Sequence, residues 1–196
     1  MYERQILAPG IILYRTGSEI IEGLKEEIIA SIPAEEWKPA HTVNTQTYEA
    51  EVSEGRKCDD FVLYENNEEL KSLYDKIGAW ITPAYNDYVA EYNVEPTVSD
   101  MWLILRYGAS GKFDHHVDDG GKFPRTISLS AYINDDYEGG ELEFNYFGIK
   151  HVAQVGDIVI FSSAFPYMHK VAPVTSGTRY SIVNWYRYAT YVKEIV

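Results

Sequence analysis

The residues of this chain that could do chemistry lie in Phe113-Asp114-His115-His116-Val117-Asp118-Asp119, with His169 and Arg179 downstream. His116 and Asp118 form an H-x-D pair. Alternate side chains of a strand share a face, so both are expected to project the same way and to hold a metal from one side. His115 starts no such pair, because Val117 cannot bind a metal. A third ligand would complete a 2-His-1-carboxylate facial triad, a donor set that suits Fe(II) and leaves positions open for O2 and substrate. The chain has histidines at 41, 115, 116, 151 and 169, and His169 lies in Pro166-Tyr167-Met168-His169-Lys170-Val171, upstream of Arg179. A cation there is expected on a neighbouring strand, placed to pair with the far carboxylate of a metal-chelating oxo-acid. Arginine suits the role, because its planar fork binds a carboxylate through two hydrogen bonds.

The ordered set His116-x-Asp118, His169 and Arg179 resembles the 2-oxoglutarate/Fe(II) dioxygenases, most closely the prolyl hydroxylase group. Tyr107 in Arg106-Tyr107-Gly108-Ala109-Ser110-Gly111 is similar to the family's tyrosine–glycine approach to the first ligand, and Ser130-Ala131-Tyr132-Ile133-Asn134 to its tyrosine-bearing strand. Gly139-Gly140-Glu141-Leu142 and Val155-Gly156-Asp157-Ile158-Val159-Ile160-Phe161 match its glycine-pair and G-D-hydrophobic strands. The run from Gly177 to Tyr186 resembles the closing strand of the oxygen-sensing prolyl hydroxylases. Val183 stands where those enzymes carry threonine, and the spacing from His169 to Arg179 is that of the collagen-type enzymes.

The resemblance covers roughly residues 100–190 and implies a fold, a cofactor set and a reaction. The fold is α+β and mainly β, a double-stranded β-helix (jelly roll) with supporting N-terminal helices. His116, Asp118 and His169 are the implied ligands of Fe(II), Arg179 the anchor of the 5-carboxylate of 2-oxoglutarate, and Tyr107 and Tyr132 further cosubstrate contacts. O2 is the oxidant and ascorbate an auxiliary. The implied reaction hydroxylates a prolyl residue in a peptide or protein, with release of succinate and CO2.

The elements that must position these residues are legible in outline. Gln5 to Tyr14 reads as a Pro9-Gly10 turn leading into a strand. Thr16 and Glu19 fit a capping box opening a helix with Ile20, Ile21, Leu24 and Ile28 on one face, stopped by Pro33. Between about residues 41 and 65, Val43, Thr45 and Thr47 suggest strands joined by a polar loop, Glu54-Gly55-Arg56-Lys57. Asn66 or Asn67 can cap a long helix carrying Leu70, Leu73, Tyr74, Ile77, Trp80 and Ile81. Pro83 is expected to kink it or to separate a second piece bearing Tyr85, Tyr88 and Tyr92. From Met101 onward, short strands alternate with glycine-rich or polar turns. Helices followed by many strands imply helices covering one face of a sheet. Residues 1–99 are expected to be a helix-rich support and 100–190 the catalytic core of one domain, with segments 53–60 and 117–125 as mobile covers over the substrate.

Composition narrows the function classes. With 30 acidic and 17 basic side chains, the net charge is −13, against the basic footprint that a nucleic-acid phosphate backbone needs. A local patch of Arg106, Lys112, Lys122 and Arg125 is the only concession to such a partner. No apolar run approaches the length that crosses a bilayer, and the start of the chain lacks the pattern of a secretory signal. The single cysteine, Cys58, fits a reducing cytoplasm.

Each candidate also has a plainer structural role: His116 as a strand histidine, Asp118 as a turn former before Gly120-Gly121, Arg179 as a surface ion pair, Tyr107 and Tyr132 as core aromatics. Three rival functions follow. They are an oxygenase of free amino acids or other small molecules, a non-catalytic jelly-roll binding module, and an oxidative nucleic-acid demethylase. A cupin would show an H-x-H pair, and this chain has none.

Overall fold

The computed structural model describes residues 2–43, 47, 49–94, 99, 101–120 and 124–188. The strands in chain order are β1 (Glu3–Ala8), β2 (Ile11–Arg15), β3 (Lys38–Pro39), β4 (Thr42–Val43), β5 (Ala50–Glu51) and β6 (Arg56–Lys57). There follow β7 (Asp59–Tyr64), β8 (Met101–Tyr107), β9 (Lys112–His116), β10 (Ile127–Tyr132), β11 (Tyr137–Gly139) and β12 (Leu142–Phe144). The last are β13 (Ile149–His151), β14 (Asp157–Ser162), β15 (His169–Val171), β16 (Val174–Gly177) and β17 (Arg179–Tyr186). Two α-helices, α1 (Leu24–Ser31) and α2 (Lys71–Tyr92), lie among the earlier strands. None of the described helices is long and apolar enough to cross a membrane.

The architecture is the expected jelly roll. An eight-stranded sheet runs β1-β2-β14-β10-β17-β8-β7-β3 and a five-stranded sheet runs β13-β12-β15-β9-β6, with every pairing antiparallel. The large sheet is covered on both faces, and the two-residue period of its strands divides the cover. Ile158 and Ile160 of β14, with Trp102 and Ile104 of β8, join the helix core of Leu24, Ile28, Ile77 and Ile81. Val159 and Phe161 face Leu142 and Phe144 of the small sheet, while Leu103, Leu105 and Tyr107 pack with Val171. Double-sided burial is why β10 is buried along its whole length. The odd positions of β17, from Arg179 to Trp185, share one face of that strand, with Arg179, Val183 and Trp185 all lining one cleft between the sheets.

The helical part departs from expectation in instructive ways. No capping box opens at Thr16. Ser18–Ile20 is a single 3-10 turn, and α1 starts only at Leu24, after Gly23 in a left-handed conformation (φ 73°). Thr16 is occupied elsewhere: its hydroxyl donates to the Gly156 carbonyl (2.9 Å) and accepts from the Trp80 indole (3.0 Å). Ile21, Leu24 and Ile28 are buried as the stripe requires, while Ile20 is exposed.

Pro83 does not divide the second helix, and Tyr85, Tyr88 and Tyr92 continue α2. A proline inside a helix costs roughly 3 kcal/mol, but each apolar side chain buried around it returns about 1.5–3 kcal/mol, and Trp80, Ile81, Ala84, Tyr85 and Tyr88 are all buried. The second half of α2 is also tied to the β1–β2 hairpin. The Tyr88 hydroxyl donates to the Gly10 carbonyl, and the Tyr92 hydroxyl accepts from the Gly10 amide, each at 2.9 Å. Asn67 accepts from the Leu70 amide (3.0 Å) and so caps the turn that leads into α2.

The expected polar loop at 54–57 is partly strand. Arg56 and Lys57 form β6, paired with Phe113 and Lys112 of β9. Val43 ends β4, opposite Ala50 of β5, and Thr45 lies outside the described residues. At Gly139 and Gly140, both with positive φ, close approach is the reason for glycine. A Cβ on Gly139 would stand 2.2 Å from the Pro173 carbonyl oxygen, and one on Gly140 2.9 Å from Cδ of Arg179. Gly140 therefore makes room for the arginine of the site, and Gly139 for the Pro173 carbonyl.

Candidate active site

β9 and β15 are neighbours in the small sheet, and His116 and His169 are directly paired in their register. This brings the imidazoles to 4.3 Å between ring centres. Asp118 joins them, with one carboxylate oxygen 3.5 Å from Nε2 of His116 and the other 3.6 Å from Nε2 of His169. One donor atom from each of the three residues lies within 4.8 Å of the others.

The route by which Asp118 arrives differs from the expected one. β9 ends at His116, so Asp118 is not on the strand face of that histidine. It sits in a bend pinned to the start of the loop after β14, where the amides of Asp118 and Asp119 both donate to the Ser163 carbonyl (3.1 and 2.9 Å). The side chains converge because of that anchor, not because of strand alternation. The Asp118 carboxylate also accepts a hydrogen bond from the Ser128 hydroxyl (2.6 Å), which is 2.8 Å from the hydroxyl of the fully buried Ser163. With Ser128 donating to Asp118, Ser163 is left to donate to Ser128, and both hydroxyls are satisfied.

Both histidines are oriented by backbone carbonyls. Nδ1 of His116 lies 2.8 Å from the Asp114 oxygen and Nδ1 of His169 3.1 Å from the Tyr167 oxygen. A carbonyl only accepts, so each Nδ1 carries the proton and each Nε2 lone pair faces Asp118, as metal ligation requires. Burial pushes the His169 pKa down to about 4, outweighing the nearby carboxylate, so the ring is neutral at pH 7. Burial also works against the charge on Asp118, but the facing histidines and Arg125 outweigh it and hold the carboxyl well below its ordinary range. A neutral imidazole and a carboxylate are forms that bind a divalent cation.

Arg179 comes from the opposite sheet, where it heads β17 and pairs with Tyr107 of β8; it is not on a strand beside His169. It is 1% exposed, and its guanidinium lies 4.7 Å from the ring of Tyr107 and 5.0 Å from that of Tyr132. Sequence reasoning missed a third tyrosine, Tyr137, which contributes to the field around the same guanidinium. Burial raises the pKa of all three phenols, that of Tyr137 to about 12, so all are hydroxyl donors at neutral pH. The Tyr132 and Tyr137 hydroxyls and Nε of Arg179 are buried without a hydrogen-bond partner. Buried polar groups are rarely left so. A buried cation with unpartnered donors around it is the cradle that a carboxylate would fill.

His116, Asp118, His169, Tyr107 and Arg179 line one cleft that is open to solvent. Tyr132 stands behind Arg179. His115 is exposed and turned from the cleft, and His41 is exposed. His151 is buried with Nε2 3.1 Å from Asp157, away from the triad. The basic patch does not form a free surface. Arg106 pairs with Asp59 and Lys112 with Asp114, Arg125 lies 3.8 Å over the Trp185 ring, and Lys122 is outside the described residues. The described parts of the two expected covers are likewise pinned, by β6 and β7 in one and by the Ser163 carbonyl in the other.

Two predictions arise from the carboxylate. Asp118→Asn should lose most metal affinity, whereas Asp119→Asn should be tolerated, because Asp119 uses one side-chain oxygen to accept from the Arg125 amide (3.1 Å) and asparagine keeps that acceptor. Equal losses of Mn(II) binding in the two variants would contradict this division of labour. Ser128→Ala removes the donor to Asp118, and losing such an orienting partner costs about 10–100-fold in metal affinity. Unchanged Mn(II) binding in that variant would show that the Ser163 carbonyl alone positions Asp118.

Residues 102–187 match the family model described as the 2OG-Fe(II) oxygenase superfamily. A PKHD-type hydroxylase of Pseudomonas fluorescens is 34% identical over 131 residues, which cover 58% of this chain and 55% of that protein. The matched region thus spans about half the length of this curated relative. Among solved structures, a prolyl-4-hydroxylase of Pseudomonas putida superposes with a TM-score of 0.69 at 19% identity, covering 91% of this chain and 92% of that one. A prolyl hydroxylase of Trichoplax adhaerens, in complex with a hypoxia inducible factor peptide fragment, gives a TM-score of 0.70 at 13% identity, covering 95% and 87%.

Proposed function

We propose that this chain, whose residues 102–187 match the 2OG-Fe(II) oxygenase superfamily, is such an oxygenase and hydroxylates prolyl residues in a peptide or protein. The observation that carries the reading is the shared cleft. Three metal-binding donors within 4.8 Å of one another stand at one part of it, and the buried Arg179 with Tyr107 stands at another.

His116 Nε2, His169 Nε2 and the Asp118 carboxylate would hold Fe(II), and Arg179 with Tyr132 and Tyr137 would hold the 5-carboxylate of 2-oxoglutarate, beside Tyr107. When bound, iron and oxoglutarate with O2 supply the oxidising chemistry, and oxoglutarate leaves as succinate and CO2. The chain's own residues do the rest. The Asp114 and Tyr167 carbonyls fix the imidazole tautomers, and the Ser163–Ser128 pair steadies the carboxylate. The tyrosines enclose Arg179, which strengthens its pairing with an anion by excluding water. Trp185, on which Arg125 stacks, lines the cleft and bounds the space left for substrate.

The prolyl substrate is supported by the names of the two structurally similar enzymes, both prolyl hydroxylases. A nucleic-acid substrate is opposed by the net charge of −13. We read the chain as one domain, since β1, β2, β3 and β7 from the first hundred residues extend the sheet of the later strands. A cytoplasmic setting is supported by the lone free cysteine, Cys58.

The test is anaerobic reconstitution with Fe(II) and 2-oxoglutarate, then succinate assays in air with ascorbate, against proline-rich peptides and free amino acids. Peptide-stimulated succinate with hydroxyproline in the peptide is the expected result. Stimulation by free amino acids alone would move the reading to a small-molecule oxygenase, and no metal-dependent turnover would leave only a binding module.

A further inference from the structure

Arg56 lines the cleft and is the charged side chain there that neither the triad nor the cosubstrate cradle uses. It is 8% exposed. β6 holds it opposite Phe113, and its guanidinium lies 4.8 Å over that ring, which in turn stacks on the His116 imidazole at 3.6 Å. Nη1 donates to the His41 carbonyl (2.7 Å), while Nε is buried without a partner. Among the described residues no carboxylate comes within ion-pairing distance of it; burial opposes its charge, and the Tyr107 phenol, the Cys58 thiol and, after them, Asp60 favour it. A buried charge is costly unless it is paired. Among the described residues, this arginine has no acid of its own.

The surroundings reinforce the point. Arg125 lies over Trp185, which lines the same cleft; burial opposes its charge, Asp118 favours it, and Arg56 and Arg187 oppose it. Asp119 and Asp118 offset part of this field. The loaded centre would not offset the rest. Fe(II) and Arg179 carry three positive charges, and Asp118 with the two carboxylates of oxoglutarate carries three negative ones, so the centre is neutral in sum. The positive charge of Arg56 remains for something else to meet.

We propose that Arg56, flanked by Arg125, is the anchor of a subsite for a carboxylate carried by the substrate itself, close to the position that is hydroxylated. The proposal rests on the oxygenase reading above and adds a substrate class to it. The carboxylate can belong to an acidic residue neighbouring the target in a peptide, or to a small free acid.

Calorimetry on the full chain loaded with Mn(II) and 2-oxoglutarate without O2 tests it. One arm compares prolyl peptides bearing aspartate on either side of the proline with their asparagine counterparts. The other compares N-acetylproline with N-acetylprolinamide. A buried charge pair broken on one side loses at least roughly tenfold in affinity, so in one arm the acid should bind tenfold or more tightly than the amide. The arm that discriminates names the source. Arg56→Met should abolish the preference and Arg56→Lys should retain part of it, with Mn(II) and oxoglutarate binding measured on each variant. No preference in the wild type overturns the proposal without reference to any variant. A preference that survives in Arg56→Met, with the metal still bound, overturns the assignment to Arg56. Should Arg56→Met fail to fold, a preference undiminished in Arg56→Lys overturns it equally. Failure of the wild type to bind Mn(II) and oxoglutarate would bring down the oxygenase reading itself, and this subsite with it.

Discussion

Arg179→Ala is expected to raise the 2-oxoglutarate concentration needed for half-maximal turnover by two or more powers of ten. The guanidinium is 1% exposed and among the described residues has no carboxylate partner; its Nη1 donates to the Ser181 hydroxyl (3.0 Å). Removing one member of a buried charge pair costs on the order of 3–5 kcal/mol, and each decade of affinity is about 1.4 kcal/mol. Metal binding should change little, because Arg179 belongs to the facing sheet and ligates nothing. Arg179→Lys should recover part of the loss, since lysine keeps the charge without the fork. A surface ion pair would be worth at most about 1 kcal/mol of stability, and burial on this scale removes that alternative. Titrating oxoglutarate at fixed iron against the wild type and both variants decides the matter. If the alanine variant saturates where the wild type does, Arg179 is not the anchor.

The second large effect concerns the triad. His116→Ala, Asp118→Ala and His169→Ala should each abolish iron-dependent oxoglutarate turnover and weaken Mn(II) binding beyond the roughly 10–100-fold that an orienting partner is worth. Asp118→Ala should be the most severe for the metal. It removes the only negative charge of the set and leaves the Ser128 hydroxyl, 2.6 Å from the lost carboxylate, without its acceptor. The unmet hydroxyl adds a stability cost of about 1–3 kcal/mol, so the thermal midpoint of Asp118→Ala should fall more than that of His116→Ala. Mn(II) titration followed by electron paramagnetic resonance reads the first effect, and calorimetric melting reads the second. Wild-type metal affinity in the His169 variant would show that the third donor has been misassigned.

Both experiments bear on residues that sequence alone singled out, and the reason is physical. A facial triad needs particular donor types, an oxo-acid needs a cation, and few residues supply either. The glycine pair at 139–140 was legible too, and the structure supplies the reason, since a side chain at either position would collide with Pro173 or Arg179. The division of the chain into helical cover and strand-rich core was readable from hydrophobic period, because period follows directly from which faces are buried.

What only the tertiary structure decided is how these residues meet. The H-x-D spacing suggested one strand face, yet Asp118 lies beyond the end of β9 and is placed by a carbonyl from Ser163. A backbone hydrogen bond of that kind joins positions far apart in the chain and leaves no mark on local composition. Arg179 was expected beside His169 and instead faces it from the other sheet, because strand order is set by long-range pairing. Pro83 reads locally as a helix breaker, and the buried face of α2 overrides it. Arg56 looked like part of a polar loop; only the pairing of β6 with β9 buries it under the histidine of the cleft. Local sequence determined which groups were available, and contacts between distant segments determined which of them are buried, unpaired and aimed at one another.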